Sequence, residues 1–146
     1  MSKAEIAINA FEKYNCAQAV LSAYAAAYKL EKDKALQVAV GFGGGIGRLQ
    51  ETCGAVTGAV IALGLSSDFK EEEGRPRINE VYAKVRSLIG EFSAQYGTVK
   101  CRDLLGGCDL LSEEGQKYFR ENNLREKCRE YVRLCCDLLD KQIEGK

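Results

Sequence analysis

Sulfur carries the chemistry this sequence has to offer. Seven cysteines (Cys16, Cys53, Cys101, Cys108, Cys128, Cys135 and Cys136) stand in a chain of 146 residues that contains no histidine. Without imidazole there is no Ser-His or Cys-His catalysis, no histidine ligand to a metal and no CxxCH attachment of haem. No CxxC pair occurs either, which excludes a thioredoxin-type motif and a zinc ribbon. What remains is thiolate chemistry, in which sulfur ligates a metal or attacks a disulfide. An odd cysteine count leaves at least one thiol over after any internal pairing.

Two of the cysteines occupy positions that favour the anion. Cys16 follows Asn15 and Cys53 follows Thr52, and both preceding residue types cap helices. Both sulfurs are therefore expected in the first turn of a helix, where unpaired N–H groups and the positive dipole end attract negative charge. Such settings lower a thiol pKa from about 8.5 towards roughly 3.5–7.5. Cys16 and Cys53 are the candidate catalytic thiols. Cys16, Cys53, Cys101 and Cys128 would together draw one sulfur from each of four helices, as bundle cores do when they build cofactor sites. Four thiolates suit zinc or an iron–sulfur cluster. A free cysteine is as often a small buried hydrophobe, and Cys128 and Cys135, on one apolar stripe, fit that account best. A Cys135–Cys136 disulfide is disfavoured, because neighbouring side chains on a helix diverge by about 100°.

The run Gly41-Phe42-Gly43-Gly44-Gly45-Ile46-Gly47 forbids a stable helix. Its backbone N–H groups could cradle an anion or donate to cluster sulfurs, which makes Gly43, Gly44 and Gly45, with Gly54 beside Cys53, the candidate cofactor-lining residues. The run matches neither GxGxxG nor GxxxxGK[ST], which excludes nucleotide binding on that ground. Gly54 and Gly58 also form a small-xxx-small pair, for which close helix packing is the stronger account.

The elements that must position these residues read as helices throughout. Ser2 with Glu5 opens a first helix, and Asn15 with Gln18 a second carrying Val20, Leu21 and Tyr24. Asp33 caps a third that runs through Val40. Thr52 caps a helix from Cys53 to Leu63, stopped at Gly64, and 66–75 is charged and exposed. Pro76 suits a first helical turn. Ile78, Val81, Val85, Leu88, Ile89 and Phe92 then trace a stripe ending near Gly97. Thr98 caps a short helix with Cys101, closed by Gly106-Gly107. Ser112 starts another, and Asn123 with Glu126 begins the last, whose Leu124, Cys128, Tyr131, Cys135, Leu138 and Leu139 share a face. No segment alternates with period two. The expected fold is all-α, a compact bundle of about six or seven helices with a glycine-rich loop, in a single domain over 1–146.

Twenty-one basic and 21 acidic residues cancel, so nothing is in excess to neutralise phosphates and nucleic acid is excluded as a partner. The N-terminus carries no apolar signal core, and the least polar stretch, 55–65, is too short to span a bilayer. The expectation is a cytoplasmic protein without membrane insertion, whose thiols are free, metal-bound or redox-active. A homodimer would use the stripe from Ile78 to Phe92.

The segments Asn15-Cys16-Ala17-Gln18-Ala19-Val20, Phe42-Gly43-Gly44-Gly45 and Thr52-Cys53-Gly54-Ala55-Val56-Thr57-Gly58-Ala59, with Cys101-Arg102-Asp103-Leu104-Leu105-Gly106 and Cys128, resemble the C-GCAxxG-C-C family of four-cysteine proteins. The resemblance implies a small helical bacterial or archaeal protein with a redox role, often encoded near transporter genes. That family is similar to a cluster-bearing domain of split-Soret cytochromes, which implies a 2Fe–2S or related site on Cys16, Cys53, Cys101 and Cys128. Cys108, Cys135 and Cys136 fall outside the pattern. Three functions follow from these residues: electron transfer through a metal or iron–sulfur centre to a redox partner protein, thiol–disulfide exchange by the same cysteines without metal, or a non-redox adaptor of a transporter system.

Overall fold

A computed structural model describes residues 1–144 of the chain; Gly145 and Lys146, the end of the expected domain, lie outside the described residues. The first two helices begin where the sequence places them. Ser2 Oγ accepts from the Glu5 N–H at 3.1 Å to open α1 (Lys3–Ala10). Asn15 and Gln18 form a reciprocal capping box at 2.9 and 3.0 Å, which opens α2 (Cys16–Ala25). A 3-10 turn over Ala26–Tyr28 leads to α3 (Lys32–Ala39), where Glu31 and not Asp33 is the N-cap, so Asp33 lies inside the first turn. The helix gives way to a 3-10 turn at Val40–Phe42 and then to the glycine loop.

Helix α4 (Gly54–Ser66) starts one residue later than expected, with Cys53 itself as N-cap, and runs through Gly64 without stopping. Thr52 cannot cap it because its backbone is paired antiparallel with Lys100. A 3-10 turn at Glu71–Glu73 feeds α5 (Gly74–Tyr96), which begins two residues before Pro76 and ends at left-handed Gly97. Helix α6 (Cys101–Leu104) is capped by Lys100 and not Thr98, whose hydroxyl instead accepts from the Lys100 N–H. Ser112 caps α7 (Glu113–Glu121) as the sequence suggests. The last helix, α8 (Arg125–Ile143), starts after Leu124, because Asn123 takes a left-handed turn conformation at φ +49°.

The described residues thus form eight α-helices and no strand, an all-α fold with one helix more than the upper end of the expected six or seven. The core is built from α2 and α4, against which α8 and α1 pack. Alanine and glycine along α2 and α4 allow the two backbones to approach closely: a Cβ on Gly58 would stand 2.7 Å from the Ala17 carbonyl oxygen. The packing account of the Gly54–Gly58 pair is borne out. Phe92, Tyr96 and Tyr131 stack with ring centroids 4.8–5.9 Å apart and lock α5 to α8. Leu88 and Phe92 are fully buried in this core, so the second half of the stripe proposed as a dimer surface is used within the chain.

Candidate functional site

Cys16, Cys53, Cys101 and Cys128, separated by up to 112 positions, all line one cavity of roughly 510 Å³. Each reaches it by a different local device. Cys16 is the first residue of α2 and is held there by the Asn15 capping box. The Asn15 Nδ2 also donates to the Val40 carbonyl at 2.9 Å, tying the start of α2 to the end of α3 and the glycine loop. Cys53 and Cys101 are placed by a short antiparallel pairing. The Cys53 N–H donates to Val99 C=O and the Cys101 N–H to Glu51 C=O, each at 2.7 Å, on either side of the Thr52–Lys100 bridge. Alternation along the two segments puts Cys53 and Cys101 on the same side of that pairing. Cys128 lies one turn into α8, opposite α6 across the cavity wall.

The glycine loop closes the site by backbone contact. Gly44, Gly45 and Gly47 take positive φ, as do Ile46, Arg48 and Gln50. The loop folds on itself through bonds such as Gln50 N–H to Gly44 C=O at 3.1 Å and Glu51 N–H to Gly45 C=O at 2.8 Å. Three close contacts here exclude any side chain, two in the loop and one at the start of α4. A Cβ on Gly43 would stand 2.5 Å from Asn15 Nδ2, one on Gly45 2.7 Å from Cys101 Cβ, and one on Gly54 2.9 Å from Cys16 Sγ. Gly54 therefore serves both helix packing and the sulfur site. Among these glycines Gly44 turns its N–H towards the Cys16 sulfur.

The electrostatics differ from the sequence expectation. Burial is the largest influence on every one of these thiols and raises the pKa of Cys16, pushes Cys53 well up, and lifts Cys101 to about 11 and Cys128 to about 12. N–H groups of Cys16, Ala17, Gly44 and Ala55 oppose this at Cys16, and those of Ala55 and Val56 at Cys53, without reversing it. The helix-start N–H donors are in place, yet both thiols are raised and not lowered as expected, because desolvation of an anion outweighs a few N–H dipoles. Cys16 adds to the rise at each of the other three, Cys128 to that at Cys53, and Cys101 to that at Cys128.

Several participants carry no sequence signal. Gln50, only 2% exposed, donates from Nε2 to Cys108 C=O at 2.6 Å and accepts the Leu110 N–H at 2.9 Å, fastening the glycine loop to 108–110. Its amide also faces the Cys101 sulfur and favours the anion there. Tyr131, on the cavity wall, donates to Leu104 C=O at 2.7 Å and so joins α8 to α6. Arg125 lies over the Phe11 ring, 4.2 Å from its centroid, donates to the Phe11 carbonyl and draws the Cys128 pKa down against the effect of burial. Of the remaining cysteines, Cys108 packs with Cys101 and Cys128 in a small apolar cluster and donates from Sγ to Gly115 C=O at 3.1 Å. Cys135 and Cys136 are fully buried in the main core.

Among the described residues no group of three or more Cys, Asp or Glu side chains converges so as to hold a single metal ion. No helix among the described residues is long and apolar enough to cross a membrane.

Fold and cavity together define an all-α protein with four cysteines on the wall of one internal site. The family described as "Putative redox-active protein (C_GCAxxG_C_C)" matches residues 14–142, and the chain belongs to it. A relative from Archaeoglobus fulgidus, named only as an uncharacterized protein, is 30% identical over 128 residues, covering 83% of this chain and 79% of that relative. No solved structure matches the chain.

Proposed function

We propose that the protein transfers electrons through an iron–sulfur cluster held by Cys16, Cys53, Cys101 and Cys128. The observation that carries this reading is the gathering of four cysteines from four separate elements around one cavity. Their burial and mutual repulsion make four free thiolates unfavourable without a positively charged group between them. Four thiolates are a full ligand set for such a cluster. Zinc is the other group that four thiolates suit, and metal analysis separates the two. When bound, a cluster supplies reversible one-electron chemistry. The chain's own part is to supply the sulfurs, to exclude water through Phe11, Leu104 and Leu105, and to aim N–H groups of Gly44 and Ala55 at the Cys16 sulfur.

Anaerobic purification or reconstitution tests the reading by visible absorption, electron paramagnetic resonance and analysis of iron and sulfide. Stoichiometric iron and sulfide, lost in Cys53→Ser and Cys128→Ser variants that still fold, is the expected result. Colourless, iron-free protein after reconstitution would reject it.

A second reading, thiol–disulfide exchange, is favoured by one observation, the N–H groups that surround the Cys16 sulfur as they would a nucleophilic thiolate. It requires a trapped mixed disulfide at Cys16 once the resolving cysteine is removed.

A further inference from the structure

The cysteine cavity has an asymmetric wall. Lys13, Arg48, Arg120 and Arg125 line it, against a single carboxylate, Glu12. Glu12 is already paired with Arg129 at 2.8 Å, which holds its carboxyl below the usual range. Arg125 is spent on Phe11. Lys13, Arg48 and Arg120 are exposed and make no ion pair or side-chain hydrogen bond with any described residue. They come from three distant places: the segment after α1, the glycine loop and the end of α7. The chain as a whole has zero formal charge, so three uncompensated cations at one opening do not reflect a general basic excess.

We infer that the mouth of this cavity binds a small anion, a carboxylate or an inorganic oxyanion, through Lys13, Arg48 and Arg120. Guanidinium groups match such oxygens in bidentate geometry. Leu110 and Phe119, half-buried, also line the cavity, as do the buried Cys53 and Cys101 and the half-buried Cys16 and Cys128. The three cations thus belong to its exposed part, and apolar side chains and sulfur to its less exposed part. A concave space of roughly 510 Å³ falls within the size of small-molecule pockets, about 300–1,000 Å³. An acidic protein face would call for a broad, flat surface instead. The inference rests on the reading above only in taking this cavity as the functional site, and not on which group the sulfurs hold.

The test uses the full chain labelled with 15N, titrated with sodium phosphate at constant ionic strength and followed by NMR, with sodium chloride as reference. Saturable shifts at Gly44, Arg48 and Arg120 are expected with phosphate and not with chloride. The double variant R48E/R120E should bind at least about tenfold more weakly, while R86E, at an exposed cation on α5, should bind as the parent does. Arg48 and Arg120 make no ion pair or side-chain hydrogen bond with any described residue, so the double variant should stay folded, with melting lowered only by the loss of a cation from the last turn of α7. Absence of saturable shifts, or equal weakening by R86E, overturns the inference. So does a response to polyglutamate without one to phosphate, which would assign the rim to an acidic macromolecule. Iron and sulfide analysis of the same samples separates the two readings. Phosphate binding by iron-free protein leaves the anion site standing and the cluster reading fallen, and cluster-loaded protein that ignores phosphate does the reverse.

Discussion

Cys53 and Cys101 are held side by side by two backbone hydrogen bonds of 2.7 Å, Cys53 N–H to Val99 and Cys101 N–H to Glu51, around the Thr52–Lys100 pair. This three-residue pairing joins the start of α4 to the start of α6. It also explains why neither threonine expected to cap those helices does so. The backbone of Thr52 is engaged across the pairing, and Thr98 turns its hydroxyl to the Lys100 N–H. The glycine loop then seals the pairing from one side, which sets up the first test.

Gly45 has φ +71° and no room for a methyl group beside Cys101 and Gln50, whereas Gly47 has φ +57° and nothing within 4 Å of where a Cβ would lie. Gly47→Ala should cost only the left-handed backbone penalty, about 1–2 kcal/mol. Gly45→Ala should cost more, by roughly a further 1–3 kcal/mol of overpacking. Urea denaturation of the two variants under identical conditions measures the difference, and equal losses would remove the close approach from the account of the loop.

Helix packing offers a pair of opposite sign. A Cβ on Gly58 would press to 2.7 Å on Ala17 C=O, while Gly90 in α5 meets nothing. Gly58→Ala is expected to destabilise by about 1–3 kcal/mol, and Gly90→Ala to stabilise by roughly 0.5–1 kcal/mol through helix propensity. Thermal melts should move in opposite directions.

Asn15 has two separable duties. Its Oδ1 caps α2 and its Nδ2 holds Val40 C=O. Asn15→Ala should lose about 1–2 kcal/mol, while Asn15→Asp retains the cap and gives up the bond to Val40. Hydrogen exchange should show faster opening at 40–44 in both variants, and at the start of α2 in the alanine variant alone.

Gln50→Leu leaves Cys108 C=O and the Leu110 N–H without their side-chain partner inside the protein. A loss of about 1–3 kcal/mol is expected. Amide exchange of Leu110 should accelerate far more than that of core amides such as Val132. Uniform acceleration would show that Gln50 acts on global stability and not on this junction.

The thiols give a prediction in pH. In the reduced, metal-free protein, Cys101 is raised from 9.0 to about 11 and Cys128 to about 12, both through burial. A thiol whose folded pKa lies above its unfolded value stabilises the fold fully below the unfolded value, and that contribution is lost as pH climbs to the folded one. Melting temperature should therefore fall between about pH 9 and pH 12, less steeply in a Cys101→Ala, Cys128→Ala variant measured against its own value at pH 8. Alkylation of both thiols by iodoacetamide at pH 8 should run well below that of glutathione. A rate equal to or above glutathione would contradict the desolvated setting.

How far the sequence reaches depends on the range of the interaction concerned. Ser2, Asn15 and Ser112 cap helices as read, since a cap is made within three residues. Asp33, Thr52, Thr98 and Asn123 do not, and for Thr52 the reason is a partner 48 positions away that no local pattern announces. Gln50 carries no local signal for the same reason: its partners lie across the chain at Cys108 and Leu110.

By itself the sequence determined that this chain is helical, that a glycine run interrupts it near the fortieth residue, and that its chemistry is that of sulfur, because these follow from local periodicity, backbone freedom and residue type. Only the tertiary structure decided that four cysteines on four elements face one cavity, that three cations without an ion pair among the described residues line it, and that the buried thiols are held neutral. Those outcomes depend on desolvation and on contacts between distant segments, and neither quantity is written in the order of residues until the chain has packed.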